Sequence, residues 1–319
     1  MVWFRRDLRL HDQPALTAAC AECDEIIPLF IFDEPLLHSH EFGSACVNFM
    51  LGCLEDLNAA LSGLGTPLQW RRGEPVEQVL QAAREWKTDA VYWNRDYEPG
   101  AIERDRLVQQ RLAKLGVAVR TFKDHVVFEA SEVRGATGEP LQRYSAYRAR
   151  WWTKWHATTP AVQPIPTALA KKKAAPLPLS RPLPSSSDLG YDPVVLSIEP
   201  GEEHARKRLR WFVEGPLHSY AQGRNLPAID GSSKLSAHFR FGTLSPRIAI
   251  HAALNTLAKG GRVSRLDALT WVDELIWREF FQQVLTAFPH VAKGPFRAVI
   301  VPPARPVGNK RDRLFQTWC

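Results

Sequence analysis

The first third of the chain alternates short apolar runs, rich in aromatic and β-branched residues, with segments whose apolar positions recur every three or four residues. The runs VWF (2 to 4), IIPLFIF (26 to 32), PLQW (67 to 70), AVYWN (90 to 94) and VAVRTF (117 to 122) predict strands. Helical periodicity lies between them, around 13 to 22, 43 to 63, 75 to 86 and 101 to 114. Strands that alternate with helices imply a parallel sheet covered on both faces, so residues 1–127 are expected to form a doubly wound α/β domain. No G-x-G-x-x-G opens the first helix, and the usual dinucleotide fingerprint is therefore absent.

The pattern then breaks. Between Ala157 and Pro200 the chain places nine of its 24 prolines. Repeated proline removes backbone donors and excludes regular helix, so residues 128–200 are read as an interdomain connector with an extended, proline-rich second half. Lys171 to Lys173 within it read as a solvated charge cluster. After Gly201 the stretches EEHARKRLRWFVEGPLHSYAQ, SPRIAIHAALNTLAKG and RLDALTWVDELIWREFFQQVLTAF carry helical patterns and nothing alternates with period two. Residues 201–319 are expected to be all-α. The final RDRLFQTWC puts Leu314, Phe315, Trp318 and Cys319 on one side of a turn with no cap or polar tail, which predicts that this helical domain is incomplete.

Composition narrows the class. A chain of 319 residues, 45% hydrophobic and 24% charged, suits a globular protein of two domains. A net charge of +7, from 41 Lys and Arg against 34 Asp and Glu, suits a polyanionic partner. The start MVWFRRDLRLHD puts Arg5, Arg6, Asp7 and Arg9 where a secretory signal needs an apolar core, and no stretch is long enough to span a bilayer. A cytoplasmic monomer without membrane contact is expected. The five cysteines, Cys20, Cys23, Cys46, Cys53 and Cys319, are few and odd in number, which argues against a disulfide framework. Cys20 and Cys23 have redox-motif spacing but close a helix rather than open it, so the dipole does not activate them and they read as structural. His38-Ser-His40 has no companion ligands, and no metal site is expected.

One helix poses a question. WVDELIWREFF (271 to 281) is apolar nearly all round and reads as buried, yet it carries Glu274, Arg278 and Glu279. Buried carboxylates are costly unless paired, hydrogen-bonded or neutral. Trp271, Glu274, Trp277 or Arg278, and Phe281 follow one another by three or four residues and share a flank. That flank either forms a site or is tethered by a Glu274–Arg278 ion pair. A second stretch, GSSKLS, offers the hydroxyls of Ser232, Ser233 and Ser236 just before a helix, either as a helix cap or as an anion cradle.

Three stretches together resemble the photolyase and cryptochrome family: FRRDLRLHDQPAL (4 to 16), YAQGRNLPAIDGSSKLSAHFRFGTLSPR (220 to 247) and ELIWREFF (274 to 281). The resemblance runs the length of the chain. It implies an α/β antenna domain, a long connector and a helical domain that holds FAD, with UV-damaged DNA as partner. Tyr220, Ser232, Ser233, Lys234, Leu235, Ser236, Trp271 and Glu274 then fall at FAD contacts. Arg224, Glu274, Trp277 and Arg278 fall at DNA contacts, with Arg224 on a phosphate. Glu274 and Trp277 would carry the chemistry: Trp277 stacks on a flipped-out pyrimidine dimer, and Glu274 hydrogen-bonds its base edge where negative charge appears. The acidic residue at 274 resembles repair enzymes for cyclobutane dimers more than animal-type cryptochromes or (6-4) photolyases.

The chain also departs from that pattern. The family continues for roughly another 150 residues, and that part carries an Asn near the flavin, much of the adenine pocket and the two inner tryptophans of an electron-transfer chain. Gly308 stands where the family often has the outer one. The antenna pigment is expected to be 5,10-methenyltetrahydrofolate or 8-hydroxy-5-deazaflavin: NRDYEPGAIERDR (94 to 106) has the family's look, whereas RYSAYRARWW (143 to 152) does not. The competing readings are a cryptochrome-type blue-light receptor and a non-catalytic remnant.

Overall fold

A computed structural model describes residues 1–39, 42–174, 181–258 and 263–297. His40, Gly308 and the final RDRLFQTWC turn lie outside the described residues. The first domain runs β1 (Val2–Phe4), α1 (Pro14–Glu22), β2 (Pro28–Asp33), α2 (Ser44–Gly63), β3 (Gln69–Gly73), α3 (Pro75–Glu85), β4 (Ala90–Asn94), α4 (Pro99–Lys114) and β5 (Ala118–Phe122). The strands form one parallel sheet in the order β3-β2-β1-β4-β5, with Trp3 opposite Leu29 and Val91 opposite Val119. This is the doubly wound α/β fold that the alternation predicts.

Period-two alternation splits the apolar residues between two layers. Trp3, Leu29, Ile31, Val91 and Trp93 face α3 and α4, where Val79, Leu80, Val108 and Leu112 meet them. Phe4, Phe30, Phe32 and Tyr92 face the other way, onto Leu16, Leu54, Leu57 and Leu61 of α1 and α2. The edge strand β3 begins two residues later than its apolar run and continues through Arg71 and Arg72, because its outer side is only half-buried and accepts long polar side chains. Winding outward from β1 in both directions leaves a crevice at the C-terminal ends of β1 and β4, where open α/β sheets bind ligands.

The stretch read as connector is not all extended. Residues Tyr144–Thr158 form a helix, α5, whose Tyr147, Trp151 and Trp155 are spaced by four and buried in the core of the helical domain. That periodicity ends just before the prolines begin. Beyond Thr159 the described residues on either side of 175–180 pack on the first domain, with Leu169 and Leu189 buried in its core. The helical part includes α6 (Glu202–Glu214), α7 (Ser236–Phe241), α8 (Pro246–Ala258) and α9 (Arg265–Ala287), with a single helical turn at Tyr220–Gly223 between α6 and α7. The Ser264 hydroxyl accepts from Asp267 N at 3.1 Å and caps α9.

A buried ion network joins the two parts. Arg9 Nη2 meets Asp124 Oδ1 at 2.5 Å, Arg247 Nη2 meets the same oxygen at 2.9 Å, and Arg247 Nε meets Asp12 Oδ2 at 2.8 Å. Burial raises the pKa of Asp124, but the two guanidiniums outweigh it and hold the carboxyl well below the usual range. The motif FRRDLRLHD is thus largely a junction: it supplies Arg9 and Asp12 to this network and Asp7 to Gln13, Asn94 and the Arg5 amide. Cys20, Cys23, Cys46 and Cys53 are free thiols. Burial pushes Cys20 up to about 11 and Cys53 up to about 12, which removes the thiolate that redox chemistry needs.

Candidate functional site

Helix α9 carries the site on one flank. Trp271, Glu274, Leu275, Arg278 and Gln282 recur at helical spacing and line a cavity of about 410 Å³ where the helical part meets the first domain. Tyr220, Ser233, Ser236, Phe239 and Arg240 close it from the helical side, and Arg6 closes it from the end of β1. Six of the residues singled out in the sequence therefore converge: Tyr220, Ser233, Ser236, Trp271, Glu274 and Arg278.

The others lie around it. Leu235 is buried beneath the loop as part of the helical core. Lys234, at φ +52°, turns its ammonium to Asp230 at 2.8 Å. Ser232 is exposed, and its carbonyl accepts from Arg208 Nη2 at 3.2 Å, while Arg208 Nε donates to Ser233 O at 2.9 Å. Arg208 thus fixes the serine loop from behind. Trp277 stacks face to face on Tyr144, with ring centroids 3.5 Å apart and planes 9° from parallel, and Phe281 lies beside it at 5.5 Å.

The Glu274–Arg278 ion pair does not form. Arg224 Nη1 takes Glu274 Oε1 at 2.5 Å instead, across 50 residues of sequence. Arg278 turns inward: its Nη1 donates to His125 O at 2.7 Å and its Nη2 to Phe239 O at 3.4 Å. Burial lowers its pKa to about 10, which still leaves it charged near neutrality. Burial together with the neighbouring Arg6 lowers His125 to about 3, so that imidazole is neutral.

Glu279 answers the question of the buried carboxylate, and the answer is structural. It is 3% exposed and accepts four hydrogen bonds: from Val127 N at 2.5 Å, Phe128 N at 3.2 Å, Tyr147 Oη at 2.9 Å and Trp151 Nε1 at 2.8 Å. It pins the segment after the first domain and α5 onto α9.

Arg6, Phe239, Arg240, Leu275 and Gln282 also line the cavity and were not picked out in the sequence. Gln282 was within reach, four residues beyond Arg278 and eight beyond Glu274 on the same flank. Its Oε1 is buried and has no hydrogen-bond partner among the described residues. A buried orphan acceptor at a cavity wall is an unmet demand for a donor.

A second cavity, of about 720 Å³, opens at the C-terminal ends of β1, β2, β3 and β4. Trp3, Phe30, Phe32, Phe42, Met50 and Phe241 give it apolar walls, and its charge is of both signs, from Arg5, Arg6, Arg104 and Arg240 and from Asp33, Glu74, Asp96 and Glu98. It occupies the crevice that the strand order creates.

The family model "DNA photolyase" matches residues 1–167. A deoxyribodipyrimidine photo-lyase of Synechococcus is 34% identical over all of this chain and 66% of its own length. The solved structure of a bacterial class III photolyase from Agrobacterium tumefaciens is 26% identical and superposes with a TM-score of 0.82 over 99% of this chain and 64% of its own. A Synechocystis cryptochrome, at 22% identity and a TM-score of 0.84, shares the fold over 99% of this chain and 66% of its own. The chain belongs to the DNA photolyase family. It spans about two thirds of the length of these relatives.

Proposed function

We propose that the smaller cavity receives FAD and that the chain serves light-dependent repair of cyclobutane pyrimidine dimers in UV-damaged DNA. The observation that carries this reading is the convergence of Tyr220, Ser233, Ser236, Trp271, Glu274 and Arg278 on one cavity. The donor set suits the cofactor. Ser233 and Ser236 hydroxyls with the guanidiniums of Arg6, Arg240 and Arg278 suit a pyrophosphate, Trp271 and Tyr220 suit a flat ring, and the orphan Oε1 of Gln282 suits a ring N–H. Bound and reduced, FAD supplies an electron on excitation, and the protein contributes position, dryness and charge.

On this reading Arg224 holds the Glu274 carboxylate at the cavity rim as an acceptor for base-edge N–H groups. The guanidinium places positive charge where negative charge develops on the dimer. Tyr144 stacks on Trp277, which stiffens the ring that a flipped-out pyrimidine would meet. Such stacking is worth roughly 1–3 kcal/mol per base. The larger cavity is read as the antenna site; its aromatic walls and arginines suit 5,10-methenyltetrahydrofolate and 8-hydroxy-5-deazaflavin alike. The cryptochrome-type receptor reading draws on fold alone.

The test is direct. The purified chain mixed with FAD should show a protein-perturbed flavin band, and blue light should then remove dimers from an irradiated oligonucleotide. A free-flavin spectrum would overturn the reading. Glu274→Ala removes a hydrogen bond of a charged group, about 1.5 kcal/mol, and should lower repair yield roughly tenfold while DNA affinity stays within about twofold. Unchanged yield removes the role given to Glu274. Affinity for DNA should fall as salt rises, because Lys and Arg contacts to phosphate release counterions; a salt-independent affinity contradicts a phosphate-binding face.

A further inference from the structure

The two cavities share a wall, and it is made of charge. Arg6 and Arg240 line both. Arg6 leaves the end of β1, Glu98 immediately precedes α4, and Arg240 comes from α7 of the helical part. A single carboxylate oxygen, Glu98 Oε1, accepts from Arg6 Nη1 at 2.5 Å and from Arg240 Nη1 at 2.7 Å. Arg6 Nε donates to the Arg240 carbonyl at 3.1 Å and its Nη1 lies 3.4 Å from Asp96 Oδ2. The partition is therefore a bridged pair of guanidiniums, one from each domain, on one carboxylate.

An anion that enters either cavity competes with Glu98 for these two groups. We propose that Glu98 is a positioning residue for both cavities and couples their occupants. An anionic ligand on one side draws a guanidinium away from Glu98; the carboxylate then holds the other alone, and that one is less available to the second cavity. Two anionic ligands accordingly weaken each other, and by linkage each weakens the other by the same factor. The two states are the bridged pair and the split pair. The proposal takes its choice of flavin as ligand from the reading above, whereas the partition itself does not depend on it.

The first arm uses inorganic pyrophosphate and thermal unfolding of the whole chain. Glu98→Gln removes the competing charge, so the pyrophosphate concentration giving half-maximal protection should fall about fivefold or more. Glu103→Gln, whose residue is exposed and paired with Arg106, should leave it unchanged. Equal half-protecting concentrations for wild type and Glu98→Gln, or no protection of either, overturn the proposal. Should Glu98→Gln fail to fold, Arg240→Gln leaves Arg6 alone on Glu98 and should abolish the coupling measured in the second arm.

The second arm titrates FAD with and without saturating 5,10-methenyltetrahydrofolate, and the folate with and without FAD. Each should weaken the other by one common factor, and riboflavin, which lacks phosphate, should show none. FAD that binds with an affinity indifferent to folate overturns the coupling. Failure of FAD to bind while pyrophosphate protects as expected removes the flavin reading and leaves the partition standing.

Discussion

Glu279→Ala is expected to cost about 3–5 kcal/mol of folding stability, because it leaves a set of buried neutral donors without their acceptor. Four donors lose their acceptor at once: the amides of Val127 and Phe128, the Tyr147 hydroxyl and the Trp151 indole. An unsatisfied buried donor costs roughly 1–3 kcal/mol; relaxation and water entry keep the total below the sum. Urea unfolding followed by tryptophan fluorescence measures the loss, and a change under about 1 kcal/mol would contradict the role assigned to Glu279.

The same carboxyl predicts a pH dependence. Burial raises its pKa from 4.5 to about 7, against the hydrogen bonds it accepts, which lower it. In the window between those values the folded chain holds a proton that the unfolded chain has lost. This contribution to stability is complete below the unfolded pKa and declines as pH rises through about 7, by a total of about 3 kcal/mol. Glu279→Gln carries the amide at every pH and should flatten the slope of stability between these values. An equal slope in wild type and Glu279→Gln would show that another group sets it.

These roles differ in how far they could be read from the chain. The sheet was legible because its cores are built from runs that alternate, such as Trp3 against Phe4 and Ile31 against Phe32. The flank of α9 was legible because helical spacing alone puts Trp271, Glu274 and Arg278 together. Glu279 was visible as a problem, but its solution comes from residues more than a hundred positions earlier, which no local pattern reports. The partner of Glu274 was out of reach for the same reason: periodicity offers only Arg278, four residues on, as one of two alternatives, and tertiary structure supplies Arg224. Helix α5 was hidden inside a stretch labelled by its prolines, although Tyr147, Trp151 and Trp155 precede them at helical spacing. Arg6 and Arg240 each look like ordinary surface charge, and only the docking of two domains makes them a shared wall.

That docking has a point of least tolerance at Gly242, and Gly242→Ala is expected to break it. Gly242 ends α7 at φ +66°, where a side chain costs roughly 1–2 kcal/mol. The added methyl would also lie 1.9 Å from Arg6 O and 2.7 Å from Asp7 Cα, both backbone atoms with no rotamer to yield. Around it Leu8 N donates to Phe241 O at 3.1 Å and Arg9 Nη1 to Gly242 O at 2.9 Å, so the clash falls on the seam that aligns β1 with α7. Overpacking of this kind costs about 1–3 kcal/mol in a core where side chains can shift; against fixed backbone the combined loss should reach about 4 kcal/mol or leave the domains undocked. Gly63→Ala, with nothing within 4 Å of the new methyl, is the control and should stay within about 0.5 kcal/mol of wild type. Because Arg6 and Arg240 flank this seam, a Gly242→Ala protein that still folds should lose pyrophosphate protection along with stability. Wild-type stability in Gly242→Ala would mean that the two domains do not meet as described.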